Sequence, residues 1–175
     1  RVYPHANVTV RPLADGGEGT TDALIEGLGG RKVELSVTGP MGSWVKAYYG
    51  ILADEKTVVM EMAQAAGITL VEEAQRNPGK ATTYGVGEMI RDAGARGYRK
   101  FIIGIGGSAT NDGGIGMLRA LGVKFLTKDG EEAGEGADAL GKIHFVSLEH
   151  LMPELKECDF QIACDVTNPL CGEKG

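Results

Sequence analysis

"FIIGIGGSATNDGGIGML", residues 101–118, decides how this chain is read. The run Phe101-Ile102-Ile103 has the unbroken apolar character of a strand buried on both faces, as in a parallel sheet. From Ile115 onward the apolar residues begin a helix. Between them stand five glycines, the polar side chains of Ser108, Thr110 and Asn111, and a lone carboxylate, Asp112. A strand-to-helix connection usually needs only a few residues, so the surplus marks the backbone itself as the working surface. Amides without side chains converge readily on an anion, and the dipole of the following helix helps. Gly106, Gly107, Gly113 and Gly114 would allow the close approach, with Ser108, Thr110 and Asn111 adding hydrogen bonds. Asp112 does not suit an anion binder. It either caps the helix starting at Ile115, or takes a hydroxyl proton or holds Mg²⁺.

Two other loops follow the same recipe. Residues 8–13 read as a strand running into Asp15-Gly16-Gly17-Glu18-Gly19-Thr20, and residues 20–28 as a helix with Leu24, Ile25 and Leu28 on one face. Asp15 and Glu18 suit a cation or a polyhydroxy ligand; the alternative is a tight turn with Glu18 favouring the helix N-terminus. Near the other end, a strand over 160–164 runs into Asp165-Val166-Thr167-Asn168-Pro169, where Asp165 is either an Asx-type turn residue or part of a site. Thr82 and Thr83 stand before an amphipathic helix over 83–96, built on Val86, Met89, Ile90 and Ala93. One of them caps that helix, or both hydroxyls contact a ligand.

The remaining elements are strands over 32–38, 45–52 and 57–62, the last two an antiparallel pair joined at Asp54-Glu55-Lys56. A strand over 100–105, a helix over 115–121 and a strand over 123–127 follow. Residues 128–142 form a polar surface loop or hairpin, and 153–157 a short helix. Strand and helix alternate, so the expected fold is α/β, a mostly parallel sheet with flanking helices. Ligands of such sheets gather outside the C-terminal strand ends, where the three loops lie.

Composition narrows the function classes. At 175 residues, 42% apolar and with a net charge of −6, the chain reads as soluble and globular and not as a binder of nucleic acid or anionic membranes. No membrane span or secretory signal is legible. Glycine makes up 28 of the 175 residues, about twice the usual share of roughly 7%, and clusters at the loops. Cys158, Cys164 and Cys171 suit neither a disulfide framework nor a zinc site, in keeping with a reducing cytoplasm. His5, His144 and His150 have no metal-ligand spacing. Gly104 to Ala109 also fits G-x-G-x-x-A, the dinucleotide fingerprint. There, however, the helix starts inside the glycine motif, and here Asn111-Asp112-Gly113-Gly114 intervenes.

"PLADGGEGT", "TTYGVGEMIRDA", "IIGIGGSATNDGG" and "ACDVTNPLCG", in that order, resemble the type-1 glycerate kinase family across essentially the whole chain. The resemblance implies a cytoplasmic two-lobed α/β kinase that moves the terminal phosphoryl group of ATP, with Mg²⁺, to D-glycerate, giving 2- or 3-phosphoglycerate. It further implies small-molecule partners, with homo-oligomerisation open, and division into residues 1–40 of a first lobe and 41–175 of a second. Family members run beyond Arg1 and Gly175, so a fragment inactive alone is expected. Gly106, Gly107, Ser108, Thr110 and Asn111 would cradle phosphate. Asp112, then Asp165 and Asp15, would serve as base or metal contact. Gly16, Gly17, Glu18, Thr82 and Thr83 would meet substrate, and Arg11 is a weak candidate for the glycerate carboxylate. The metal ligands stay unknown. The alternative is a non-catalytic lobe that binds an anion or a nucleotide.

Overall fold

The computed structural model describes residues 16–167, 169, 172 and 173. The expected strand over 8–13, together with Arg11, Asp15, Asn168 and Cys171, lies outside the described residues.

Helix α1 (Thr20–Leu28) leads into β1 (Gly30–Thr38), β2 (Trp44–Leu52) and β3 (Thr57–Glu61), followed by the short α2 (Ala63–Ala66). Then come α3 (Tyr84–Ala95), β4 (Lys100–Gly104), α4 (Ile115–Ala120), β5 (Lys124–Leu126), β6 (Phe145–Ser147) and β7 (Asp159–Ala163). Among the described residues, five strands form one sheet in the order β1-β2-β3-β4-β7. The β1–β2 and β2–β3 pairs are antiparallel, while β3–β4 and β4–β7 are parallel. The sheet is therefore mixed, with the parallel half at the apolar runs that predicted it. β1 and β2 lie on either side of the lobe boundary expected after residue 40, and the sheet crosses it unbroken through a tight turn in which Gly39 N–H donates to Ser43 O at 2.6 Å.

The strand expected over 123–127 does not join this sheet. It shortens to β5 and pairs antiparallel with β6 in a separate ribbon. Its pattern suits that ribbon: Lys124 is exposed and Phe125 buried, the period-2 alternation of a strand with one dry face. That face packs with Ile115, Val123, Ala133 and Ala139 in a second, smaller core. The short helix expected over 153–157 is present as a 3-10 helix, Pro153–Glu157.

The main core joins the sheet to α3 through Val86, Met89, Ile90 and Ala93, at the spacing that predicted the helix. Gly85 lets α3 sit directly on the backbone of β1, since a Cβ there would collide with the Thr38 carbonyl oxygen. Tyr49 is fully buried and donates its hydroxyl to Asp92 Oδ2 at 2.7 Å. Burial first, then that carboxylate, push the phenol pKa upward.

Asp54 holds the turn between β2 and β3. Its carboxylate accepts the Thr57 hydroxyl at 2.6 Å and the N–H groups of Lys56 and Thr57 at 2.9 and 2.8 Å. These bonds, the Thr57 hydroxyl foremost, lower its pKa from 3.8 to about 2. A depressed carboxylate pKa contributes stability that is fully present above its unfolded value, about 4, and lost as pH falls through the folded one. Denaturation midpoints of the native chain and of Asp54→Ala should differ at neutral pH and converge as pH drops from about 4 to about 2. A difference that stays constant over that range would exclude this account.

Candidate functional site

The first loop and the glycine-rich loop meet at the C-terminal ends of β4 and β7, and the contact is backbone on backbone. Gly106 N–H donates to Gly16 O at 2.9 Å, and Ile105 N–H to Ala163 O at 3.4 Å. A Cβ on Gly104 would lie 2.6 Å from Gly16 O, one on Gly106 2.8 Å from Gly17 Cα, and one on Gly16 2.6 Å from Ala163 O. Real Cβ atoms do not approach so closely, so these glycines are where one main chain lies flat on another.

A buried carboxylate fastens the first loop. Glu61, at the end of β3 and 1% exposed, accepts Thr21 N–H at 2.6 Å and Gly19 N–H at 3.2 Å. It thereby caps α1 from 40 residues away, satisfying amides that no side chain of the helix itself reaches. The sequence reading passed over Glu61; its signal was an acid at the end of the apolar run Val58-Val59-Met60.

The glycine-rich loop then runs beside residues 62–68. Met62 N–H donates to Gly104 O, Ile68 N–H to Gly107 O, and Ala109 N–H to Ala66 O, at 2.8 to 2.9 Å. Between these bonds the amides of Gly107, Ser108, Thr110 and Asn111 donate to no acceptor among the described residues. Gly107 has φ +72°, the left-handed turn that lets successive N–H groups form a concave nest. Gly107, Ser108 and Asn111 are exposed. Main-chain donors open to solvent on a pinned loop are what an incoming anion requires. Glu18 lies at the rim, exposed, with its Oε1 accepting the Thr69 hydroxyl at 2.8 Å.

Asp112 has another position. It is 1% exposed. Its Oδ2 accepts Thr83 N–H, the Thr83 hydroxyl and Gly116 N–H at 2.9, 2.8 and 3.1 Å, and its Oδ1 accepts Gly114 N–H at 3.0 Å. The geometry favours the capping alternative, since the carboxylate joins the start of α4 to the start of α3. Thr83 completes the joint by accepting Met117 N–H at 2.9 Å, and Thr82 Oγ1 accepts Tyr84 N–H at 3.2 Å. Both threonines are 2% exposed, so their hydroxyls serve the helix junction and not the open loop. Asp165 is exposed, two residues beyond the end of β7.

A cavity of about 250 Å³ opens beside the loop, lined by Arg76, Asn77, Ser108 and Thr110 over the apolar floor of Ile68 and Val71. Larger hollows of about 390 and 500 Å³ lie elsewhere, one on β1 and β2 and the other between β1 and α3. No three ligating His, Cys, Asp or Glu side chains converge among the described residues. Mg²⁺ often arrives on substrate phosphates, held by one or two carboxylates, and Glu18 or Asp165 could supply such a ligand. No helix among the described residues is long and apolar enough to cross a membrane.

Sheet and loops together define an α/β protein with open main-chain donors outside its strand ends. All residues, 1–175, match the family model described as the glycerate kinase family, and the chain belongs to that family. It is 46% identical over 175 residues to a glycerate kinase of Halalkalibacterium halodurans, covering 100% of this chain and 46% of the relative. Against a glycerate 2-kinase of Escherichia coli K12 it is 46% identical over 174 residues, covering 99% and 46%. The crystal structure of a glycerate kinase 2 from Salmonella typhimurium LT2 superposes with a TM-score of 0.89 at 46% identity, covering 98% of this chain and 47% of that one. The chain thus spans about half the length of the relatives it matches.

Proposed function

We propose that this chain is part of an ATP-dependent kinase that transfers the terminal phosphoryl group to a hydroxyl of D-glycerate, giving 2- or 3-phosphoglycerate. The observation that carries the reading is the set of amides at Gly107, Ser108, Thr110 and Asn111 that meet no acceptor among the described residues. Phosphoryl transfer asks a protein mainly for positioning and for stabilising charge on the equatorial oxygens. Fixed N–H dipoles supply the latter without reorganising during the reaction. The hydroxyls of Ser108 and Thr110 extend the cradle, and Mg²⁺ carried by the nucleotide would neutralise the phosphate chain.

The acceptor oxygen attacks the terminal phosphorus, the bond to the leaving ADP oxygen breaks, and the hydroxyl proton passes to a carboxylate. Asp112 is committed to four hydrogen bonds, so its part is to hold the cradle. Asp165 at the open end of β7 is the proposed proton acceptor, with Asp15 the other candidate. Gly16 and Gly17 pack the first loop against the strand ends, and the exposed Glu18 is the residue of that loop proposed to meet the acceptor.

The test is ADP release with D-glycerate, assayed on this chain and on a polypeptide of the relatives' length that contains it, with the product identified by phosphorus NMR. Phosphoglycerate from the longer polypeptide and none from the 175 residues alone is the expected result. A folded longer polypeptide that leaves ATP intact would overturn the kinase. A second reading, an anion-binding lobe without catalysis, gains from the commitment of Asp112, and that same outcome would support it.

A further inference from the structure

Six arginines lie among the described residues, and five of them pair with a carboxylate: Arg31, Arg91, Arg96, Arg99 and Arg119. Arg76 is the exception. Its Nε donates to Val71 O at 3.3 Å, and its two terminal nitrogens meet no acceptor among the described residues. In a chain with a net charge of −6, an arginine without an acid is unusual, and this one lines the cavity beside Ser108 and Thr110.

The segment that carries Arg76 is well fixed. Lys80 and Ala81 N–H donate to Asn77 O, Gly79 N–H to Asn77 Oδ1, and Asp138 N–H to Gly79 O, all within 3.1 Å. Val71, to which the guanidinium is tied, is 4% exposed. Arg76 is itself exposed, and its one bond, through Nε, leaves the terminal donors of the planar fork available to bind a carboxylate through two parallel bonds. At about 250 Å³ the cavity falls below the roughly 300–1,000 Å³ of sites for drug-sized ligands. It suits a three-carbon acid and is small for a whole nucleotide.

We infer that Arg76 reads the carboxylate of the acceptor: the cavity takes a small 2-hydroxy acid with its carboxylate on the guanidinium and its carbinol end toward the amides of residues 107–111. The inference rests on the kinase reading and assigns the acceptor subsite to this chain. Charge recognition then selects an acid over a neutral polyol, and the length from guanidinium to loop selects a short one.

The experiment is a titration of the 175-residue chain with D-glycerate, followed by amide NMR at Ser108 and Thr110. D-Glycerate should shift these signals, and glycerol, which lacks the carboxylate, should not. Arg76→Gln should weaken glycerate binding about tenfold or more, the loss of one charge-assisted pair. Inorganic phosphate binding should change less than about threefold, because the loop amides carry most of it. Arg76→Lys, charged but without the fork, should fall between. Equal binding of glycerol and glycerate, no response to glycerate, or unchanged affinity in a folded Arg76→Gln would overturn the assignment.

The longer polypeptide separates this claim from the kinase reading. There Arg76→Gln should raise KM for D-glycerate about tenfold while KM for ATP stays within about threefold. A wild type that phosphorylates glycerate while the Gln variant keeps its KM sinks the arginine and leaves the kinase. A wild type that binds glycerate through Arg76 without consuming ATP does the reverse.

Discussion

Asp112→Ala should lower the stability of the chain by about 3 kcal/mol or more. The substitution leaves three main-chain N–H groups, at Thr83, Gly114 and Gly116, and the Thr83 hydroxyl without their acceptor. The side chain is 1% exposed, so water replaces those bonds only if the junction between α3 and α4 opens. A loss of that size is a large part of the roughly 5–15 kcal/mol that holds an ordinary domain together. Urea unfolding should show a lower midpoint with an unchanged slope. Asp112→Asn is the sharper comparison. It keeps the shape and one carbonyl oxygen but turns an NH₂ group toward main-chain donors, and about 2 kcal/mol should still be lost. An Asn variant within about 0.5 kcal/mol of the native chain, the ordinary spread for inconsequential substitutions, would remove the capping account and restore this carboxylate as a candidate base.

The distinction matters because one letter in the loop carries both readings. Asp directly ahead of two glycines and a helix is good capping chemistry, and it is equally good general-base chemistry. What separates them is the partner at Thr83, 29 residues away, and no local pattern encodes that distance. Glu61 and Arg76 escaped notice for a related reason. Each is one ordinary charged residue in its own stretch, and each gains its part from chain brought in from elsewhere: Gly19 and Thr21 for Glu61, Ser108 and Thr110 for Arg76. Periodicity, in contrast, is local. Helix α3 and strand β4 appear where Val86, Met89, Ile90 and Ala93 and the run Phe101-Ile102-Ile103 put them. The short β5 shows the boundary between the two cases. A strand is legible over 123–127, but its pairing with β6 in a separate ribbon is a tertiary fact.

The glycines divide in the same way, and Gly104→Ala tests the division. In the sequence all five glycines between Phe101 and Ile115 look alike, as room for a ligand. In the structure Gly104 and Gly106 are covered by the main chain of Gly16 and Gly17, and Gly107 is the one whose neighbouring amides stay open. A methyl group on Gly104 would stand 2.6 Å from Gly16 O and 3.1 Å from Gly16 C. Neither atom is the tip of a movable side chain, so the first loop must lift from the sheet. That movement breaks the bond from Gly106 N–H to Gly16 O and strains the Glu61 cap on α1. Overpacking of this kind costs about 1–3 kcal/mol and the broken bond about another 1 kcal/mol. The expected loss is therefore about 2–4 kcal/mol by urea unfolding, with phosphate binding at the 107–111 amides weakened as well. Gly27→Ala is the control. It lies in α1 with nothing within 4 Å of the added carbon, so the identical change should raise stability by about 0.5–1 kcal/mol through helix propensity. Opposite signs at the two positions follow from backbone contact at Gly104, and a Gly104→Ala chain as stable as the native one would mean that the two loops do not touch.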